Sequence, residues 1–115
     1  MREIIGAQGE ITIIWIDRVP DSITTQPVET TDAGTIISHS ESGHHHLLTG
    51  GDVLERTSDV RPGMRVLYAI LDEPARLHQT AQSAHEPYDL PPGVYEFRCA
   101  REFDPFAEQA RRVAD

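Results

Sequence analysis

Cysteine, basic residues and long apolar runs are all scarce in this chain. The single Cys99 cannot form an internal disulfide, which favours a reducing, cytoplasmic setting. No apolar run approaches the roughly 18 residues that span a bilayer, and the amino terminus lacks the basic-then-apolar pattern of a secretory signal. We therefore expect a cytoplasmic protein without a membrane segment.

Acidic residues outnumber basic ones by 19 to 10, which gives a net charge of -9. This charge repels phosphate backbones and anionic lipid surfaces, so it disfavours nucleic acid and membranes as partners. A length of 115 residues lies near the commonest domain size and is enough to bury about two-thirds of the surface that the unfolded chain exposes. We expect residues 1–115 to form a single domain.

Three segments predict core strands. Residues 10–17, EITIIWID, are rich in β-branched and aromatic side chains and are apolar on both faces, which indicates a central strand. Residues 65–71, RVLYAIL, predict a second core strand. Residues 94–99, VYEFRC, predict a last strand with the Tyr, Phe and Cys side chains on one face.

Shorter segments complete a mainly β pattern. Residues 21–34 predict an exposed loop with a short edge strand, and further strands are expected at residues 35–38, 52–57 and 76–80. Asp104 as an N-cap, Pro105 after it and an apolar stripe predict a terminal helix over residues 105–113. Short strands at roughly ten-residue intervals indicate a small sandwich or barrel-like fold closed by that helix.

Residues 39–46, HSESGHHH, contain four of the six histidines and a carboxylate. Alternation along an extended segment places His44 and His46 on one side and His45 on the other, where we expect it to be solvated. Strands use His-x-His spacing to bind zinc, iron, copper or nickel, since neutral imidazole suits all of these ions. The spacing therefore predicts half of a metal site.

The other ligands must come from elsewhere. His85 lies in a stiff proline-rich segment before the last strand and is the expected third ligand. Glu41 or His39 is expected to complete the shell or to orient a ligand from behind. The predicted cofactor is a divalent transition metal: zinc, iron or nickel.

Two hypotheses of different classes remain open on the sequence. In the first, three imidazoles bind a metal and leave an open position at which water or a small-molecule ligand could be activated. In the second, the domain is a non-catalytic binding or assembly module that forms a homo-oligomer, and its histidines are solvated, structural or pH-responsive. A general base beyond Glu41 and Glu86 is not evident, which favours binding over catalysis.

Cupins also carry His-x-His in a β-rich chain, but their motifs are incomplete here. Their first motif requires a glycine where this chain has Ser38, and a glutamate where it has Gly50 and Gly51. Their second motif requires a histidine at the position of Glu96. The resemblance to cupins is therefore limited to general β-roll architecture.

The chain resembles, along most of its length, a group of small uncharacterised bacterial proteins, some with phage-like or gene-cluster associations. The resemblance is carried by residues 8–10 (QGE), 39–46 (HSESGHHH), 85–87 (HEP), 90–95 (LPPGVY) and 98–103 (RCAREF). It implies that His45 occupies a variable position and that a single site contains His39, Glu41, His44, His46 and His85. It implies no activity.

Overall fold

The computed structural model describes residues 2–39, 45–80 and 87–100, which form ten β-strands in two antiparallel sheets. The predicted mainly β class is confirmed for this part of the chain. The helix predicted over residues 105–113 lies outside the described residues. None of the described stretches forms a helix with the length and apolar character needed to traverse a bilayer.

The strands follow one another as β1 (Arg2–Gln8), β2 (Ile11–Ile16), β3 (Thr25–Pro27), β4 (Thr35–His39), β5 (His45–Leu48), β6 (Asp52–Arg56), β7 (Met64–Leu71), β8 (Ala75–Gln79), β9 (Tyr88–Leu90) and β10 (Gly93–Ala100). The larger sheet has six strands in the order β1-β2-β10-β7-β6-β3. The smaller sheet has four strands in the order β4-β5-β8-β9. The chain therefore alternates between the sheets after each adjacent pair of strands from β4 onward.

The segments predicted as core strands are confirmed as β2, β7 and β10, which lie side by side within the six-stranded sheet. The short edge strand expected within residues 21–34 is β3, which pairs with β6 at one end of the six-stranded sheet. The sequence did not predict β1 or β9. Each of these strands lies at the end of its sheet, where one pairing partner suffices.

The main core lies between the two sheets. Side chains from β2, β6, β7 and β10 of the larger sheet pack with side chains from β4, β5, β8 and β9 of the smaller one. The alternate residues predicted to share a face of the last strand, Tyr95, Phe97 and Cys99, are all buried in this core. A shared core packs the two sheets face to face, as in a sandwich.

The outer face of the six-stranded sheet has a second apolar cluster, built on Ile14, Ile16, Val66 and Tyr68. Val19 and Ile23, which follow β2, and Val60, which precedes β7, pack against it, so β2 has buried side chains on both faces as the sequence predicted. This second cluster explains why the sequence of β2 is almost continuously apolar, although antiparallel strands usually alternate between apolar and polar residues.

Glu96 is buried on this outer face beside the apolar cluster. Arg2 donates two hydrogen bonds to its carboxylate, at 3.2 and 2.8 Å, and Arg98 donates one at 2.7 Å. The buried charge is thus fully compensated by two partly exposed guanidinium groups.

Tyr88 links the edges of the two sheets. Its hydroxyl accepts a hydrogen bond from the Ala7 backbone N–H at 3.3 Å, and its ring lies directly over Gly6. The register of β1 against β2 shifts between Ile4 and Gly6, so Ile5 forms a bulge at this point. A residue without a side chain at position 6 lets β9 approach β1 closely.

Candidate functional site

Four polar side chains form a buried cluster where the β1–β2 turn meets the four-stranded sheet. His46 and Gln8 are each 1% exposed, and Ser38 is 8% exposed. Glu10 completes the group with a side chain that is 10% exposed. Buried polar groups require partners, so the contacts within this cluster determine what it can do.

Gln8 fixes the protonation of one nitrogen of His46. The Gln8 amide nitrogen donates to the Leu77 carbonyl at 3.0 Å, so its oxygen Oε1 is the atom that faces His46 Nδ1 at 2.9 Å. An amide oxygen can only accept, and Nδ1 must therefore carry the proton. The other nitrogen, Nε2, is the atom with which His46 can bind an ion or exchange a proton.

Glu10 presents one carboxylate oxygen to that nitrogen. Its Oε2 lies 3.4 Å from His46 Nε2, while its Oε1 accepts a hydrogen bond from the Ser38 hydroxyl at 2.6 Å. The 3.4 Å separation is longer than the roughly 2.7–2.9 Å of a charge-assisted N–H···O hydrogen bond. The two facing atoms can act as an ion pair or as two ligands of one metal ion.

A tight turn brings Gln8 and Glu10 to the same histidine. β1 ends at Gln8 and β2 begins at Ile11, so only two residues connect the strands. Gly9 takes a φ of 58°, which glycine adopts without steric cost in such hairpins. The Glu10 carbonyl also accepts the Ala100 N–H at 3.1 Å, which holds the turn against β10.

His46 reaches the cluster because it occupies an inward position on β5. The register places it directly opposite Ser38 of β4, one residue beyond a bulge at Ile37. The neighbouring pair, His39 opposite His45, therefore lies on the other face of the sheet. The predicted opposite orientation of His45 and His46 is confirmed.

His39 and His45 contact each other outside the cluster. Their ring centroids are 4.6 Å apart and their planes meet at 81°. Burial lowers the pKa of His39, and the nearby His45 and Arg65 lower it further, so its neutral form is favoured. The expectation that His45 is simply solvated is wrong, because it is half-buried against its partner.

The five predicted site residues fall into three groups: one in the buried cluster, one on the other face of the sheet and three outside the described residues. His46 lies at the centre of the buried cluster, and His39 lies on the opposite face of the sheet. His44, His85 and Glu41 lie outside the described residues. The sequence did not assign Gln8, Glu10 or Ser38 to the site; residues 8–10 entered only through the resemblance described above.

The one cysteine is a core residue. Burial raises the pKa of Cys99 to about 12, despite the opposing effect of Arg65. The thiol is therefore protonated at neutral pH, and its sulfur faces the Ile37 carbonyl at 4.0 Å. A protonated, enclosed thiol is neither a good nucleophile nor a metal ligand.

Within residues 2–39, 45–80 and 87–100, no group of three or more His, Cys, Asp or Glu side chains is arranged to hold a metal ion. The described part of the chain therefore supplies two facing ligand atoms, from Glu10 and His46, rather than a whole coordination shell. A metal ion bound at the buried cluster would use these two residues.

Residues 7–100 match a family described as a domain of unknown function, DUF8820. This span includes every member of the buried cluster and both histidines of the outer pair. Searches of curated proteins and of solved structures found no match to the chain.

Proposed function

The chain belongs to the DUF8820 family, and we propose that it is a metal-binding protein whose site is built on Glu10 and His46. The proposal rests on one observation: Nε2 of His46 and Oε2 of Glu10 face each other at 3.4 Å in a buried position. Two ligands of a tetrahedral ion, each bound at about 2.0–2.2 Å, lie roughly 3.3–3.5 Å apart. The separation fits a shared ion better than a direct hydrogen bond.

The hydrogen bonds that hold Glu10 and His46 support the same interpretation. Metal-binding histidines usually donate their other N–H to an oxygen, as His46 does to Gln8. Metal-binding carboxylates are likewise held by hydrogen bonds, as Ser38 holds Glu10. Each of the two ligand residues is therefore oriented by a hydrogen bond made through its other polar atom.

The remaining ligands are a prediction from the sequence. His44 and His85 are the expected third and fourth ligands, with Glu41 in a supporting role. Imidazole and carboxylate together suit zinc, iron or nickel. A bound ion of this kind polarises ligands and lowers the pKa of a coordinated water, and Glu10 and His46 would hold it in place between the sheets.

Metal content of untagged protein, purified without a nickel column, tests the proposal. We expect about one equivalent of metal in the wild type by elemental analysis, and about tenfold less or lower in His46→Gln and Glu10→Gln. Both substitutions keep the approximate shape of the side chain. His44→Ala and His85→Ala test the remaining ligands in the same way.

His78→Gln is the matched control, since His78 is a partly buried histidine on β8 outside the cluster. This variant should retain its metal. Folded wild-type protein without metal above background would exclude the proposal, as would an equal loss of metal in His78→Gln and His46→Gln.

A second candidate function is a non-catalytic binding or assembly module in which the cluster is structural. The observation that favours it is that both ring nitrogens of buried His46 already face protein oxygens. This candidate predicts that the purified protein retains no metal and that a chelator leaves its melting temperature unchanged. It also predicts a homo-oligomer, which sedimentation measures directly.

A further inference from the structure

The outer face of the four-stranded sheet presents three histidines that the buried cluster does not use, and two of them, His39 and His45, form a pair. His39 ends β4 and His45 begins β5, and the antiparallel register places them directly opposite each other. Residues opposite each other in such a pair share a face, with Cβ atoms about 4.5–5.5 Å apart. The pair is therefore fixed by the backbone of two hydrogen-bonded strands.

The separation of the two rings fits a shared ion. Two imidazoles that bind one ion through bonds of about 2.0–2.1 Å have ring centres roughly 4.5–5 Å apart when the bonds meet at 90–110°. The centroids of His39 and His45 are 4.6 Å apart. Little movement of either strand is needed to bring both rings to one ion.

His45 also has an unsatisfied nitrogen. Its Nδ1 is enclosed and has no hydrogen-bond partner in the described part of the chain. A buried polar atom without a partner costs about 1–3 kcal/mol. A flip of the ring would exchange Nδ1 with Cδ2. Binding an ion through Nδ1 in that orientation would remove this cost.

We infer that His39 and His45 form a second metal site, a two-histidine clamp on the sheet surface that takes a borderline divalent ion, copper(II) most tightly. Neutral imidazole suits copper, nickel and zinc, and copper(II) has the highest affinity among the divalent ions of this series. His39 is exposed, so water can fill the remaining coordination positions. The clamp joins neighbouring strands of one sheet, whereas the buried cluster joins the two sheets.

Copper(II) added to untagged protein tests the clamp. His46→Gln removes the buried site, and His39→Gln and His45→Gln are then compared in that background. We expect His46→Gln protein to bind one equivalent of copper(II), with an electron paramagnetic resonance spectrum that shows two nitrogen ligands. Each further substitution should weaken binding about tenfold or more, measured by calorimetry.

His78 lies on the same face of the sheet but is opposite Leu47 rather than either clamp histidine, so His78→Gln is the control in the same background and should leave copper(II) affinity unchanged. If His46→Gln does not fold, the wild type serves instead: His39→Gln alters an exposed side chain and should lower the number of added copper ions bound by one. Unchanged copper binding after loss of both His39 and His45, or an equal loss in the His78 variant, would overturn the clamp. Native metal content, measured without added copper, reports separately on the buried site.

Discussion

Glu96 is buried in the outer face of the six-stranded sheet, and its charge is maintained by the two arginines beside it. Burial alone would raise the pKa of this carboxyl, but hydrogen bonds from Arg2 and Arg98 outweigh that effect and lower the pKa to about 2. The unfolded chain binds a proton at this group near the ordinary value of 4.5. The ionised group therefore stabilises the fold above about pH 4.5, and this stabilisation is lost as pH falls from there toward 2.

Glu96→Gln should lower the free energy of unfolding at pH 7 by about 1–3 kcal/mol, because it removes the buried charge that both arginines contact. The difference between wild type and variant should shrink as pH falls below 4.5, measured by urea unfolding. Asp89→Asn is the control, since the Arg76–Asp89 ion pair is exposed to solvent and such pairs contribute little to stability. A difference that stays constant down to pH 2.5 would show that the charge of Glu96 does not matter.

Among single residues, the sequence identified His46 but none of its described partners. His-x-His spacing and strand alternation are local properties, and they were enough to place His46 and His45 on opposite faces. Gln8 and Glu10 lie 38 and 36 positions before His46, and no periodicity relates residues on different sheets. Their role follows only from how the two sheets pack.

At the scale of elements, the sequence was informative where side chains are buried and uninformative at the edges. β2, β7 and β10 are central strands whose apolar patterns are long and clear. β1 is mostly exposed, with Ile4 70% accessible, and therefore lacks the apolar alternation of a half-buried strand. β9 has three residues in a proline-rich segment, and it is held by pairing with β8 rather than by a pattern of its own.

The contact between β9 and β1 depends on the missing side chain at Gly6. A methyl group there would overlap the ring and hydroxyl of Tyr88, so Gly6→Ala should destabilise the fold by about 1–3 kcal/mol, measured by thermal or urea unfolding. Gly50→Ala is the matched control, because its nearest neighbour would be the Ala75 Cβ at 3.7 Å, an ordinary contact.

A double-mutant cycle identifies the cause. Gly6→Ala should cost much less when Tyr88 is already alanine, because the overlapping ring is gone. An equal cost in both backgrounds would place the strain in the β1 bulge itself rather than in the contact between the sheets.

At the scale of the whole molecule, strand content could be predicted but the assignment of strands to sheets could not. Alternation shows that a strand has a buried face, yet it does not show which sheet that face meets. The buried cluster joins a turn of the larger sheet to the inner face of the smaller one, so an ion bound there would hold the two sheets together.

Removal of the proposed ion should therefore weaken the whole fold. A ligand present at 100 times its dissociation constant stabilises a protein by about 2.7 kcal/mol. Treatment with a chelator should then lower the melting temperature of the wild type by about 5 °C or more. Glu10→Gln protein should melt at the same temperature with and without chelator. If the metal-loaded wild type melts at the same temperature with and without chelator, its metal lies away from the interface between the sheets.

The turn at Gly9 makes the buried cluster depend on both sheets. Gln8 contacts His46 on β5 and the Leu77 carbonyl on β8, so its environment exists only after the two sheets have docked. His39 and His45 are six positions apart and need only the pairing of β4 with β5. The outer pair therefore requires only one pair of neighbouring strands, whereas the buried cluster requires that both sheets are formed and docked against each other.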